Sequence, residues 1–129
     1  MPEPVFGTAI NCIDGRVQIP VLKWMHQHAG VEFTDLVTEP GPDRVLSSYQ
    51  ITQLLSIKER VGVSVRAHHS QLIAVVGHHD CAANPVSEEE HRKQIELAVK
   101  MVKTWSTGAK LIGLWVNEKW EVEVVVEAG

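Results

Sequence analysis

The stretch Gln71-Leu72-Ile73-Ala74-Val75-Val76-Gly77 is a nearly unbroken apolar run that ends in His78. It reads as a central strand covered on both faces, and such a strand needs helices above and below it. The remaining chain supplies them. Phe6 to Cys12 reads as a short buried strand, and Val17 to Met25 as a helix with Val21, Leu22 and Met25 on one face, Pro20 in its first turn and Gly30 as its stop. Val31 to Thr38 is a second strand, closed by a stiff loop, Glu39-Pro40-Gly41-Pro42-Asp43. Ile51 to about Val65 repeats Ile51, Leu54, Leu55, Val61 and Val65 at helical spacing. Ser87-Glu88-Glu89-Glu90 is a capping box opening a helix to about Thr104, and Lys110 to Val116 is another buried strand. Trp120 to Val126 alternates and belongs at an edge. The expected fold is α/β: a mostly parallel sheet of four to five strands, helices on both faces, the last strand at an edge.

At 129 residues the chain fits a single domain, residues 1–129. Hydrophobic residues at 44% and charged residues at 22% exclude a disordered or fibrous chain, and a net charge of −4 without a basic patch argues against a nucleic-acid partner. Met1-Pro2-Glu3-Pro4 has no signal-peptide character and no segment could span a bilayer, so the expectation is a cytoplasmic protein without a membrane partner. In a reducing compartment, Cys12 and Cys81 are reactive, metal-bound or simply buried.

Two segments carry chemistry, and both follow strands: Asn11-Cys12-Ile13-Asp14-Gly15-Arg16 and Gly77-His78-His79-Asp80-Cys81-Ala82. In an open parallel sheet, sites form outside the carboxyl ends of strands where the order reverses, so the loops meet if the first and third strands flank that point. Thiolate sulfur and imidazole nitrogen are ligands that zinc favours, and a catalytic zinc keeps three protein ligands and an open place. Cys12, His78 and Cys81 supply that set. Either half alone is weak, since a lone His-x-x-Cys is common and a lone cysteine is usually buried. Asp14 and Arg16, two residues apart, can pair so that the guanidinium orients the carboxylate; alone they would read as a surface ion pair.

Together, Cys12-Ile13-Asp14-Gly15-Arg16 and His78-His79-Asp80-Cys81 resemble the zinc signature of the β-class carbonic anhydrases, over roughly the first two thirds of the chain. The resemblance implies zinc ligands Cys12, His78 and Cys81, with Asp14 and Arg16 as a supporting catalytic dyad. It implies reversible hydration of carbon dioxide to bicarbonate by a zinc-bound hydroxide, with Asp14 accepting its hydrogen bond and Arg16 keeping Asp14 ionised. In some family members this aspartate instead swings onto the metal, which would make Asp14 a fourth ligand. It also implies a homodimer or higher homo-oligomer. Three positions depart from the family: Gly15 replaces a serine, Ala82-Ala83 follows Cys81 in place of glycine, and Thr38-Glu39-Pro40-Gly41-Pro42 replaces an Arg-Asn-Ala-Gly type of loop. The chain also carries no helical N-terminal arm of the kind that grips a dimer partner, which implies an altered interface.

Other residues have blander readings. His79 and Asp80 are exposed loop residues, His26, His28, His68 and His69 surface histidines, and Trp105, Trp115 and Trp120 core or interface. Asn84-Pro85 is a turn. Alternative functions are hydrolysis of a related linear molecule such as carbonyl sulfide or carbon disulfide, or a non-catalytic zinc protein. A cysteine-nucleophile phosphatase ranks last, because Arg16 stands too near Cys12 and no arginine follows Cys81 before Arg92.

Overall fold

A computed structural model describes residues 3–128. Strand β3 (Leu72–His78) is buried along its whole length, as its apolar run predicts. It lies at the centre of a five-stranded sheet with β1 (Phe6–Asn11), β2 (Phe33–Thr38), β4 (Lys110–Val116) and β5 (Val122–Ala128). The order is β2-β1-β3-β4-β5. The β2–β1, β1–β3 and β3–β4 pairings are parallel and β5 runs antiparallel to β4 at the edge.

Side chains alternate along each strand, so the sheet divides two cores. On one face Ala9, Leu72, Ala74, Val76 and Leu114 pack against Val21 and Met25 of helix α1 (Gln18–Ala29). On the other, Ile10, Ile73 and Val75 pack against α2 (Pro42–Ser47), α3 (Ile51–His68) and α4 (Glu88–Lys103). From β1 the chain passes through α1 to β2 on one side. It then returns through α2 and α3 to β3 on the other, so the strand order reverses between β1 and β3. Local signals end the helices as expected. Gly30 takes the left-handed conformation after α1, its N–H bonded to the Met25 carbonyl, and Ser87 Oγ accepts the Glu90 N–H at 3.2 Å to start α4.

Four expectations need correction. The segment after β2 is not only a stiff loop: Gly41 turns the chain in the left-handed region, φ 58°, and Pro42 then opens the short helix α2. Strand β2 starts at Phe33, because Val31 still closes the end of α1 through its N–H to the Met25 carbonyl. On α3 the covered stripe is Leu54, Ile57, Val61 and Ser64. Ile51 and Leu55 are 60% and 53% exposed, because α3 covers the sheet near its β2 edge, where a narrower stripe suffices. The last strand starts at Val122, because Asn117 and Glu121 close a turn in which Trp120 adopts φ 58°.

Gly113 marks where α4 and β5 press on the sheet. A Cβ there would lie 2.5 Å from Ile95 Cγ2 and 2.9 Å from Val126 Cγ1. Gly113→Ala is therefore expected to destabilise the fold by about 1–3 kcal/mol through overpacking, read as a lower urea midpoint. An unchanged midpoint would mean that Ile95 yields freely.

Candidate metal centre

Because β1 and β3 are parallel neighbours, their carboxyl ends open at one edge of the sheet. Cys12 directly follows β1 and His78 ends β3, while Cys81 lies in the turn just beyond. All three are buried, and one Sγ, Nδ1 or Nε2 atom from each lies within 4.8 Å of the others. Among the described residues this is the one group of three or more His, Cys, Asp and Glu side chains so arranged.

Local bonds set each side chain. Asn11 Nδ2 donates to Gln18 Oε1 at 3.2 Å, and Gln18 Nε2 donates to the carbonyls of Cys12 and Asp14 at 2.7 and 3.0 Å, clamping the loop after β1 onto the start of α1. His78 Nδ1 lies 2.7 Å from the His79 carbonyl, an acceptor only, so Nδ1 is the donor and, in the neutral ring, Nε2 carries the lone pair. That buried Nε2 has no hydrogen-bond partner. A buried polar atom left unpaired is costly, and an imidazole whose other nitrogen is fixed on a carbonyl is the form that binds a metal.

The donor set fits a tetrahedral zinc. Cys12 Sγ and Cys81 Sγ are 4.0 Å apart. Two sulfurs roughly 2.3 Å from one zinc would stand roughly 3.8 Å from each other, whereas a disulfide needs about 2.05 Å. The hydrogen bond from Cys81 draws the Cys12 thiol well below its usual range against the effect of burial, and the same contact pushes Cys81 up. The backbone N–H groups of Gly41 and Asp14 further stabilise a Cys12 thiolate, and those of Ala83 and Asn84 a Cys81 thiolate. A divalent cation held here would take both sulfurs as thiolates, releasing their protons.

Beside this cluster stands the carboxylate of Asp14. Arg16 donates to it from Nη2 at 2.7 Å, from Nε at 3.1 Å and from its backbone N–H at 2.9 Å. These bonds hold the Asp14 carboxyl down to about 2. Asp14 is not among the three clustered residues, and its carboxylate is engaged by Arg16. Arg16 is itself held from two further sides. Asp80 accepts from Nη1 at 3.3 Å and, through its carbonyl, from Nη2 at 3.2 Å, and the guanidinium lies 4.6 Å from the centre of the Trp120 ring.

The five residues singled out in the sequence thus come together, whereas His26, His28, His68 and His69 are exposed elsewhere, His68 being paired to Asp35 at 2.7 Å. Asp80 is the exposed loop residue expected of it and also pairs with Arg16, while Trp120, half-buried, lays its ring against the same guanidinium. Four residues went unnoticed as contributors: Gly41, Asp43, Asn84 and His91. Of these only His91 left a signal, since it shares the apolar α4 face with Ile95, Ala98 and Val102. The departures from the β-class pattern leave the cluster intact. A Cβ at Gly15 would meet nothing within 4 Å, so the missing serine has no steric cause. Glu39 turns away to Arg60 at 3.2 Å. A Cβ on Gly41 would lie 3.3 Å from Asn84 Cβ, so the altered loop closes tightly on the Cys81 turn.

A mostly parallel α/β sheet with a Cys-His-Cys cluster at its switch point is the architecture of β-carbonic anhydrase-like proteins. Residues 2–126 match the family described as "Putative carbonic anhydrase", and the chain belongs to that family. No curated protein matches the sequence. Among solved structures, the fold is similar to a β-carbonic anhydrase of the protozoan Trichomonas vaginalis, with 13% identity, a TM-score of 0.63, and 100% of this chain and 87% of that one covered. It is also similar to two tetrameric β-carbonic anhydrases of the ascomycete Sordaria macrospora, with 12% identity, a TM-score of 0.65, and coverage of 100% and 84%. A β-carbonic anhydrase of Aspergillus fumigatus matches with 15% identity, a TM-score of 0.53, and coverage of 98% and 78%.

Proposed function

We propose that this chain is a zinc-dependent carbonic anhydrase that interconverts carbon dioxide and bicarbonate, with Cys12, His78 and Cys81 as the metal ligands. The observation that carries this reading is the buried, unpartnered Nε2 of His78 facing a site shared with two thiols. Zinc held there supplies a Lewis acid that brings the ionisation of water into the neutral to alkaline range, less strongly than with three imidazoles because two thiolates offset its charge.

The protein's own residues do the rest. Asp14 stays ionised throughout the neutral range, because Arg16 holds it near 2. Arg16 Nε is shared between the two carboxylate oxygens, at 3.1 Å from Oδ1 and 3.3 Å from Oδ2, and a hydrogen bond from the reacting water takes the place of the longer, weaker of these on Oδ2. That bond turns the water's lone pair toward the carbon of the substrate. Asp80 and the Trp120 ring keep Arg16, and through it Asp14, in place. The Trp120 ring also stands near those of His78 and His79, both 6.3 Å away centre to centre, and adds an apolar wall suited to a small neutral molecule.

Residues 1–129 act as one domain in this reading. No helix among the described residues is long and apolar enough to cross a membrane, and the two free thiols suit a reducing, cytoplasmic setting. Phe33 and Leu36 on the unpaired β2 edge, with Leu55 and Val63 on α3, are exposed apolar side chains suited to a homo-oligomer contact.

Stopped-flow hydration assays on zinc-loaded protein should give a rate that rises from neutral to alkaline pH; no rate above buffer overturns the proposal. Cys12→Ser and His78→Ala should abolish stoichiometric zinc by metal analysis. Asp14→Asn should keep the zinc and lose about 10²-fold in kcat. Trp120→Ala is expected to lower kcat/KM by roughly tenfold or more through loss of Arg16 positioning, with Trp120→Phe retaining most activity. Equal activity in both Trp120 variants would remove the ring from the mechanism.

A further inference from the structure

Beneath the cluster lies a polar assembly that the mechanism above does not use. Asp43, on the first turn of α2, is 1% exposed, as are Asn84 and His91. The Asp43 Oδ2 atom lies 2.6 Å from His91 Nδ1 on α4, while Oδ1 accepts from Asn84 Nδ2 at 3.1 Å and from the Arg44 N–H at 3.0 Å. Asn84 Nδ2 also donates to Gln94 Oε1 at 2.6 Å. A carboxylate taken out of water is costly even when paired, and an apolar replacement of similar volume often serves stability as well. Such a group is better explained by what it positions.

Three contacts define that role. Asp43 stands two residues after Gly41, whose N–H supports the Cys12 sulfur. Its partner Asn84 gives a backbone N–H to the Cys81 carbonyl at 3.2 Å and supports the Cys81 sulfur. Its Oδ2 lies 2.6 Å from where a Cβ on Gly77 would sit, so it presses on the strand one residue before His78. One carboxylate therefore touches the segments that carry or back all three ligands, and His91 ties it to the long helix α4.

We propose that Asp43, held by His91 and Asn84, is the positioning residue of the metal centre: it sets the mutual spacing of the Cys12, His78 and Cys81 donors before metal arrives. The inference rests on the metal-ligand reading of these three residues but not on the reaction. Chelator competition with zinc tests it, with the cobalt(II) absorption spectrum as a second readout. The wild-type protein is measured first, and its failure to bind zinc would overturn the ligand reading itself. Given wild-type binding, Asp43→Ala should weaken zinc by roughly 10- to 100-fold and alter the cobalt bands, and Asp43→Asn should restore most of the affinity. Val61→Ala, a cavity in the α3 core on the same face of the sheet, serves as the control for general loss of stability and should leave affinity within about threefold of wild type at a comparable loss of metal-free stability. Should Asp43→Ala fail to fold, Asn84→Ala takes its place with the same expectation. Unchanged affinity in the folded variant, or an equal loss in Val61→Ala, would overturn the positioning role.

Discussion

The parallel pairing of β1 with β3 is the interaction on which the site depends. Thr8, Ala9 and Ile10 lie opposite Ile73, Ala74 and Val75. This pairing aligns the carboxyl ends of strands whose ligand-bearing loops are separated by more than half the chain. A slip of one residue would turn Ala9 and Ile10 to the wrong faces and exchange the two cores, so burial on both sides locks the register. The same register sets the distance between Cys12 and His78, so the hydrophobic core and the metal cluster are specified together.

Around the cluster, charge is organised in two layers of different exposure. The outer layer is Arg16, which joins Asp14, Asp80 and the Trp120 ring from three different loops and remains 49% exposed at its side chain. It can respond to solvent and substrate while keeping Asp14 oriented. The inner layer, Asp43 with His91 and Asn84, is sealed from water and leaves little freedom to the backbone that carries the ligands. Rigid support beneath and an adjustable dyad above are what the proposed function asks of the site, a firmly held cation and a quickly exchanged small molecule.

The altered loop after β2 has a structural logic of its own. Gly41 adopts the left-handed conformation and approaches Ala83 and Asn84 so closely that a side chain would crowd them. Ala83 and the Pro-Gly-Pro turn are thus two sides of one contact, and neither departure is interpretable without the other.

Much of the architecture was legible in the chain because its signals are local or periodic. The apolar run of β3, the stop at Gly30, the cap at Ser87 and the order of strands and helices all follow from nearest-neighbour sterics and hydrophobic spacing. The meeting of Cys12, His78 and Cys81 was legible for the same reason, since each motif is short and follows a strand. The tertiary structure alone decided that Asp43 is buried against His91, that Gly41 and Asn84 back the two sulfurs, and that Trp120 covers Arg16. Asp43 and His91 are 48 positions apart, and Arg16 and Trp120 more than 100. A lone aspartate, asparagine or tryptophan carries no periodic mark of its partner, so only the folded sheet, by fixing which loops share an edge, determines what each side chain meets.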